Sequence, residues 1–309
     1  TVGISGGSFD LTASGDGQPG ALLIDPQEFH LSGTDDDDFT NGGSFDLEAD
    51  ELIVLDDVVI STRQIDGENT RENHRDANST GDSGDITISA PRVKLRNGTS
   101  LLAHTGGSDE YSAGDITINA TDTQAVPLIS SLSDPSVIIE IDDAEIRGRT
   151  IELNAMADDE FVLGENDGGL DSTFDIIGSQ IPLPFGGYTT SEAEASVELS
   201  GGSLIESAED ISICSRSLSN ASLRSVSKGF GFIYARSNSS AEINVGNARL
   251  KAPDGNIELT SDASATLSPM IKTRNSKKTN PLGEKTNKYF ELAGAYATGE
   301  LISQTTVAP

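Results

Sequence analysis

The sequence predicts an all-β fold in which short strands stack as the rungs of a parallel β-helix. Two observations lead to this prediction: a motif that recurs along the chain, and a set of apolar positions that repeats at a constant offset. The composition agrees with it, because only 35% of the 309 residues are hydrophobic and 32 are glycine. Such a mixture is typical of many short strands joined by polar turns.

The recurring motif is a run of alternating apolar and polar residues, and its first four copies begin with glycine. Its copies lie at residues 7–13, 43–49, 84–90, 114–120 and 150–155. In the third copy, alternation sends Ile86 and Ile88 to one face of a strand and Thr87 to the other. A second alternating pair, Val93 and Leu95, and a third apolar run follow before the next polar loop. The motif therefore predicts three short strands in each repeat, the pattern of a β-helix rung.

A second set of apolar positions repeats with an offset of 46 residues. The matched pairs are Val197 with Ile243, Leu199 with Val245, Leu204 with Leu250, Ile211 with Ile257, and Ile213 with Leu259. A β-sandwich, the alternative fold, does not require one apolar spacing to recur along the chain. The repeat length predicts about ten to thirteen rungs, which at the usual strand spacing would form a stack roughly 50–60 Å long.

The chain is predicted to be a single β-helix segment, 1–309, with loop insertions at about 63–83, 158–190 and 269–293. The first insertion is polar, and His74 within it is expected to face solvent. The second contains most of the aromatic residues of the middle of the chain, and the third is basic. Residues 192–195 are the only helical candidate, and they are too short to form an isolated helix.

The charge of the chain limits its partners. With 50 acidic and 20 basic residues and a net charge of −30, the chain would repel the phosphates of nucleic acid. No apolar run is long enough to span a membrane. Residues 1–66 contain twelve Asp, three Glu and one Arg, whereas the third insertion is basic. These opposite charges favour head-to-tail self-association, and simple solvation of the acidic loops is the alternative interpretation.

Three stretches resemble known bacterial surface proteins. Residues 84–100 and 113–120 are similar to the rungs of filamentous-haemagglutinin-like adhesins, and residues 200–213 resemble repeats in very large bacterial surface adhesins. The resemblance implies a right-handed parallel β-helix that is secreted and displayed at the cell surface. It implies a structural or adhesive role in a stalk or filament, with no catalytic residues. The expected partners are further repeats or copies, a carbohydrate, or a neighbouring cell surface.

Two groups of residues are candidates for binding. Carboxylates are the hard oxygen ligands that calcium prefers, although these do not follow the spacing of an EF-hand, and a solvated turn is the alternative. The calcium candidates are Asp35, Asp36, Asp37, Asp38, Asp56 and Asp57. Aromatic and basic residues of the second and third insertions are candidates for contact with a partner. These are Tyr188, Lys272, Arg274, Lys277, Lys278, Lys285 and Tyr289.

An enzyme is the alternative functional class. Other β-helix proteins bind, cleave or modify polysaccharides with carboxylates on one face, and Glu140 and Glu152 are predicted to face outward here. Lys and Arg are sparse before the third insertion, so a polysaccharide lyase or hydrolase is not expected. The three histidines lack the spacing of a zinc site. Cys214 is the only cysteine, so the chain has no internal disulfide, and alternation places this residue outward.

Overall fold

The computed structural model describes residues 22–24, 27–34, 37–106, 110–125, 135–163, 187–227, 230–273 and 292–307. Within these residues almost all regular structure is β. The elements in chain order are β1 (Leu22–Ile24), β2 (Glu28–Ser32), β3 (Asp38–Phe39), β4 (Phe45–Glu48), β5 (Leu52–Asp56), β6 (Val59–Ser61), α1 (Arg71–Asp76), β7 (Ile86–Ser89), β8 (Arg92–Arg96), β9 (Ser100–Leu102), β10 (Ile116–Ala125), β11 (Ser136–Asp142), β12 (Glu145–Gly148), β13 (Ile151–Leu163), β14 (Gly187–Ser200), β15 (Leu204–Ser207), β16 (Ile211–Ser227), β17 (Phe230–Val245), β18 (Arg249–Lys251), β19 (Ile257–Thr273) and β20 (Leu292–Val307).

The strands form three parallel sheets, and the chain visits the sheets in turn. The first sheet has the order β1-β4-β7-β10-β13-β16-β19, the second β2-β5-β8-β11-β14-β17-β20, and the third β3-β6-β9-β12-β15-β18. We call three consecutive strands, one from each sheet, a rung. The described residues form seven rungs, of which the last has strands in the first two sheets only. The predicted three strands per repeat and their parallel stacking are confirmed.

The described residues contain fewer rungs than the sequence predicted for the whole chain, and the first copy of the motif, 7–13, lies outside them. Seven rungs, and not ten to thirteen, are present in the described residues, so the stack spans about 30 Å at the usual strand spacing. The reason is that the later strands are long: β16 and β19 have 17 residues each. A rung of the C-terminal half therefore uses more of the chain than the short strands of the motif imply.

The recurring motif forms columns of stacked apolar side chains. Ile86, Ile116, Ile151 and Ile211 lie at equivalent positions of successive strands of the first sheet, and each is at least 99% buried. With the inward residues of the other two sheets they form one continuous core. Removal of this apolar surface from water is the main driving force that holds the rungs together. The alternation predicted from the sequence is confirmed in these strands.

The 46-residue offset is confirmed in the first two sheets but shifts by one residue in the third. Val197 pairs with Ile243 and Ile211 with Ile257, as predicted. In the third sheet Leu250 pairs with Ile205, which is buried, whereas Leu204 faces outward and is only partly covered. The prediction that Leu204 stacks on Leu250 was wrong. The turn that follows β17 is one residue shorter than the turn that follows β14, and in a strand a shift of one residue exchanges the two faces.

The glycine of the motif has a steric role. Gly43, Gly84 and Gly114 stack at the corner that precedes the first strand of their rungs. A Cβ atom on Gly84 would lie 2.5 Å from the carbonyl carbon of Gly43, and one on Gly114 would lie 1.9 Å from the carbonyl oxygen of Gly84. Since these neighbours are backbone atoms, they cannot rotate away. The close approach of successive rungs at this corner therefore requires glycine.

We expect Gly114→Ala to lower the free energy of unfolding by about 2–3 kcal/mol, because the added methyl group forces two rungs apart. Gly246→Ala is the matched control: its Cβ would meet a single backbone oxygen at 3.3 Å, which a small shift accommodates. Denaturant unfolding of both variants measures the difference. Equal midpoints would show that the corner is not tightly packed.

In the last three rungs, the first and second sheets extend beyond the third and pack face to face. Most of their inward residues are small. Ser191 of β14, Ser215, Ser217 and Ser219 of β16, and Ser237 and Ser239 of β17 are all buried, and we call these six residues the serine seam. The hydroxyl groups of Ser219 and Ser237 lie 2.7 Å apart, as do those of Ser217 and Ser239.

The serine seam joins the two sheets through backbone carbonyls as well. The hydroxyl of Ser217 donates to the carbonyl oxygen of Ala193 at 2.7 Å, and that of Ser239 donates to the carbonyl oxygen of Ser217 at 2.8 Å. Each buried hydroxyl therefore has a partner, which removes the cost of burying it.

The only predicted helical segment, 192–195, is part of strand β14. Its alanines, Ala193 and Ala195, face inward beside the serine seam and are buried, while Glu192 and Glu194 alternate with them on the other face. The segment was too short to form a helix by itself, and its helix propensity is outweighed by pairing with β11 and β17 on either side.

The first predicted insertion connects β6 to β7 and so joins two successive rungs. The second and third lie within rungs, between β13 and β14 and between β19 and β20. The second is shorter than predicted, since β13 continues to Leu163 and β14 begins at Gly187. The third is also shorter, because β19 continues to Thr273 and β20 begins at Leu292. Residues 164–186 and 274–291 lie outside the described residues. The first insertion, 63–83, is described throughout and contains α1.

Candidate functional site

Residues 63–83, which we call the strap, pack against the outer face of the third sheet. Strands β6 and β9 are buried on both faces as a result. Ser61 and Leu102, which point away from the core, are completely buried, as are Val59 and Ser100. The sequence predicted a polar loop leaving one corner, whereas the strap is a folded cover held by buried side chains.

Arg63 anchors the strap. Its side chain is completely buried, and its guanidinium group donates hydrogen bonds to the carbonyl oxygens of His74 and Ala77 at the C-terminal end of α1. A cation at this end of a helix satisfies carbonyl groups that have no intrahelical partner. Burial, together with the charge of Arg147, lowers the pKa of Arg63 to about 10. At neutral pH the group is therefore still protonated and able to make both bonds.

His74, on the inner side of the strap, is buried against β3 and β6, so the prediction that it faces solvent was wrong. Its Nδ1 lies 2.8 Å from the hydroxyl of Ser61, and its ring stacks on Phe39 with a centroid distance of 4.2 Å. Burial and the charge of Arg63 lower the pKa of His74 to about 4. His104, at the next rung, has its pKa lowered to about 3 by burial and by the same arginine. Both rings are neutral at physiological pH.

Arg71 of α1 occupies the space between two of the calcium candidates. Its Nε lies 2.7 Å from Asp37 Oδ2, and its Nη1 lies 2.7 Å from Asp57 Oδ1. The hydrogen bonds with Asp37, together with those to Asp57, raise the pKa of Arg71 above its usual range. A guanidinium group therefore neutralises both carboxylates. Calcium could bind them only by displacing Arg71 and with it the start of α1.

The other calcium candidates are dispersed. Asp56 accepts a hydrogen bond of 2.7 Å from the side chain of Asn97 on the next rung. Asp35 and Asp36 lie outside the described residues. Among the residues that the structure describes, no group of three or more His, Cys, Asp and Glu side chains is placed to hold a metal ion.

Asp38 points into the core. It stands at the start of the column of Ile60, Leu101, Ile146 and Ile205 in the third sheet, and it is 5% exposed. Its neighbour Phe39 faces outward instead, toward the strap. Burial raises the pKa of Asp38 to about 6, against the effect of a hydrogen bond from the Phe39 backbone. A carboxyl group in this environment destabilises the fold whenever it is ionised.

We expect Asp38→Asn to stabilise the protein at pH 8 and to have little effect at pH 4. The pKa of Asp38 is higher in the folded state, so its contribution to stability is present below pH 4 and is lost as the pH rises toward 6. Asn carries no charge, and at pH 8 the variant should therefore gain about 2–3 kcal/mol in the free energy of unfolding.

Denaturant unfolding of wild type and Asp38→Asn at both pH values measures this effect. The two buried histidines titrate equally in both proteins, so the difference between the proteins isolates Asp38. Asp50→Asn, at an exposed position between β4 and β5, is the control. A gain that is the same at pH 4 and pH 8 would contradict the buried, ionisable state of Asp38.

The candidate contact residues are only partly within the described chain. Lys272 lies in β19, where it pairs with Val226, and Tyr188 lies in β14. Arg274, Lys277, Lys278, Lys285 and Tyr289 lie outside the described residues. Sequence reasoning missed two further tyrosines: the register places Tyr188 beside Tyr234, and Tyr234 beside Tyr296. The 46-residue offset already relates Tyr188 to Tyr234, so this signal was present in the sequence.

The tyrosines of β17 and β20 stack along the direction of the rungs. The ring centroids of Tyr234 and Tyr296 lie 5.7 Å apart with an interplanar angle of 22°. The hydroxyl groups of Tyr234 and Thr298 lie 2.9 Å apart. Each of the two rings therefore covers one face of the other. Tyr296 belongs to β20, the last described strand of the second sheet.

Ion pairs connect neighbouring rungs on the outer faces. Glu140 of β11 lies 2.7 Å from both Lys94 Nζ and Arg96 Nη2 of β8. Partial burial opposes the ionisation of Glu140, but the hydrogen bonds from these two cations outweigh it and lower the pKa. Asp115 accepts a hydrogen bond of 2.9 Å from Arg149 Nε, which likewise lowers its pKa.

Cys214 faces outward in β16 between Asn154 and Thr260, as the alternation predicted, and it is partly covered. Desolvation raises the pKa of its thiol, so the thiolate is disfavoured at neutral pH.

Comparisons with protein-family models, with curated proteins and with solved structures find no match to this chain.

The described residues contain no helix that is both long and apolar enough to cross a membrane.

The last rung leaves the core open. Five large apolar residues are exposed on its strands, and we call them the end face: Ile257, Tyr296, Leu301, Ile302 and Val307. Ile257 continues the column of Ile151 and Ile211, and Val307 continues the column of Val245. They belong to β19 and β20, which are the last described strands of their sheets.

Proposed function

We propose that this protein is a structural segment of an extracellular surface protein, built as a right-handed parallel β-helix whose rungs stack into a stalk. The observation that carries the proposal is the unbroken, in-register stacking of parallel strands across seven rungs. Each rung satisfies the backbone hydrogen bonds of its neighbours, and successive apolar columns exclude water. Such an arrangement supplies a rigid support and does not require a catalytic centre.

The outer faces support the same proposal. Carboxylates such as Glu140 and Asp115 are paired with cations of neighbouring rungs, which lowers their pKa values. A general acid in polysaccharide cleavage needs a raised pKa. The pKa of Asp38 is raised, but this carboxyl group is buried in the core, away from any polysaccharide. These carboxylates are thus suited to holding rungs together, and they offer no support for the enzymatic alternative.

Surface display is tested by labelling intact cells of the source organism with antibodies raised against the chain. We expect labelling of unpermeabilised cells, and loss of the label after brief external protease treatment. An antibody against a cytosolic protein is the control for cell integrity. Labelling that appears only after permeabilisation would refute the extracellular part of the proposal.

The mechanical role in a stalk is tested by single-molecule pulling on the purified chain. A stack in which strands break one rung at a time should extend in a series of steps, each releasing the residues of one rung. The early rungs, with strands of three to five residues, should yield before the last three. One cooperative rupture of the whole chain would contradict independent rungs.

Adhesion is the second part of the expected role, and we propose it on the resemblance of the rungs to surface adhesins. Beads coated with the chain should bind host or neighbouring cells more than beads coated with an unrelated acidic protein of similar size. Equal binding of the two kinds of bead would contradict the adhesive role and leave only the structural one.

A further inference from the structure

The contact between α1 and the third sheet contains two histidines that enter it from opposite sides. His74 belongs to α1, and its ring points at Ser61 of β6. His104 follows β9, and its ring lies beside the backbone of Arg75 in α1, with both ring nitrogens buried. Each imidazole is therefore enclosed by the element on the opposite side of the contact. Neither ring can bind a proton without placing a positive charge inside this contact.

Fixed positive charges already surround the two rings. The guanidinium group of Arg63 is buried beside them, and burial together with its charge lowers the pKa values of both histidines. Arg147 of β12 adds a second positive charge that acts on His104. The hydrogen-bond partners of the His74 ring, Ser61 and Asn69, are neutral. A proton on either imidazole would therefore lie in a buried contact next to like charge, which is unfavourable.

The acidic side chains around this contact are engaged with other groups. Asp38 points into the core, and Asp76 of α1 acts on Arg63. The remaining acids pair with arginines: Asp37 and Asp57 with Arg71, and Glu145 with Arg75 and Arg147. Among the residues that the structure describes, no acidic side chain forms an ion pair with the ring of His74 or His104. Protonation of these two rings is therefore not offset by a neighbouring carboxylate.

Side chains attach α1 to the stack. In the described chain, the backbone-to-backbone hydrogen bonds of α1 stay within the helix and its caps. The residues after α1 are held differently, since the amide of Ser79 donates to the carbonyl oxygen of Thr105 at 3.0 Å. A helix of six residues is unstable without tertiary contacts. Loss of the side-chain contacts would therefore release α1 and leave the rungs stacked.

We propose that α1 is an acid-released cover of the third sheet, and that protonation of His74 and His104 detaches it from β6 and β9. In the closed state the outward side chains of both strands are buried, and release of α1 exposes Val59, Ser61 and Leu102 to solvent. Release also hydrates the two imidazoles and separates His74 from Arg63. The proposal adds to the structural role a patch of the rod's side that is uncovered only in acid.

The pH range of the release follows from the two pKa values. In the closed state the pKa of His74 is about 4 and that of His104 is about 3, whereas a solvated histidine has a pKa of about 6.5. The closed state is therefore fully stable above pH 6.5 and loses stability as the pH falls toward 4, because the released state binds more protons. From pH 7 to pH 4.5 each histidine should raise the ratio of released to closed α1 roughly 50-fold, and both together on the order of 10³-fold.

Hydrogen exchange of the full chain, corrected for the intrinsic exchange rate at each pH, measures the release. We expect the protection of the Ala77 amide to fall on the order of 10³-fold between pH 7 and pH 4.5, while the amides of β16 remain protected. His74→Asn and His104→Gln should each remove roughly 50-fold of this response, and the double variant should remove nearly all of it. His30→Gln is the matched control: His30 lies in β2, outside the contact with α1, and this variant should keep the whole response.

An NMR titration of the histidine rings in the wild-type chain gives a second measurement, which decides the matter if α1 is already released at pH 7 in a variant. We expect the rings of His74 and His104 to remain neutral for as long as α1 is protected. Titration of either ring near pH 6.5 with α1 still protected would overturn the proposal.

Three results of the exchange experiment would also overturn it. These are protection of α1 that does not change between pH 7 and pH 4.5, a pH response that survives in the double variant, and loss of protection in β16 together with α1, which would show general unfolding in acid. The stalk proposal is tested separately, because stepwise extension under force does not depend on the state of α1.

Discussion

Ile151→Ala should lower the free energy of unfolding by about 3–4 kcal/mol, the largest loss we expect from a single apolar truncation. Ile151 is completely buried in the middle of its column, with Ile116 on one side and Ile211 on the other. The rungs are fixed by backbone hydrogen bonds, so the neighbours cannot move inward to fill the space. The full cost of a cavity is therefore added to the lost burial of three carbon atoms.

Met156→Ala on the same strand is the control, because Met156 is 42% exposed on the outer face. It should cost less than about 1 kcal/mol. Urea unfolding followed by circular dichroism compares the midpoints of the two variants, and a plateau between two transitions would show that the rungs unfold separately. Similar losses for Ile151→Ala and Met156→Ala would contradict the assignment of the two faces of β13.

Arg63→Met should cost about 2–4 kcal/mol, although the substitution removes a charge from the interior. The methionine fills much of the same space but leaves the carbonyl oxygens of His74 and Ala77 without their donors. The unsatisfied carbonyls outweigh the benefit of removing the buried charge. The strap should then detach from β6 and β9 before the rest of the stack unfolds.

Hydrogen exchange provides the readout that separates this local effect from a general loss of stability. Amides of α1 should exchange faster in Arg63→Met, while those of β16 and β19 should keep their wild-type rates. Arg92→Met, at an exposed position of β8, should change neither set. Protection of α1 that is unchanged in Arg63→Met would show that the strap does not depend on this anchor.

The parallel stacking could be predicted because the motif places large β-branched residues at alternate positions. Ile86 and Ile88 and their counterparts in later rungs carry this pattern without interruption. Register in the third sheet was less predictable. Its strands have only two to four residues, so a one-residue change in a turn decided whether Leu204 or Ile205 entered the core.

The serine seam could not be predicted from hydrophobicity. Serine is usually exposed, so the alternating serines of β16 and β17 give no apolar signal, although residues such as Ser217 and Ser239 are buried. Only the contact between two sheets explains why small residues recur there. The strap was missed for a related reason, since Arg63 and His74 are polar residues that are buried through their hydrogen bonds.

The candidate site was predictable only in part. Asp37 and Asp57 do come together, but around Arg71, which lies far from both in the sequence. The exposed residues of the end face were hidden because Ile257 and Val307 have the sequence pattern of core residues. They belong to the last described strands of their sheets, and no local pattern records that position.

The serine seam also has a thermodynamic consequence. The heat capacity change of unfolding rises with the apolar surface that becomes exposed and falls with the polar surface. In the last three rungs, hydroxyl and methyl groups such as those of Ser219 and Ala193 take the place of larger hydrocarbon side chains. This part of the molecule should therefore have a small heat capacity increment for each residue. A small increment flattens the dependence of stability on temperature, so these rungs should weaken little on cooling.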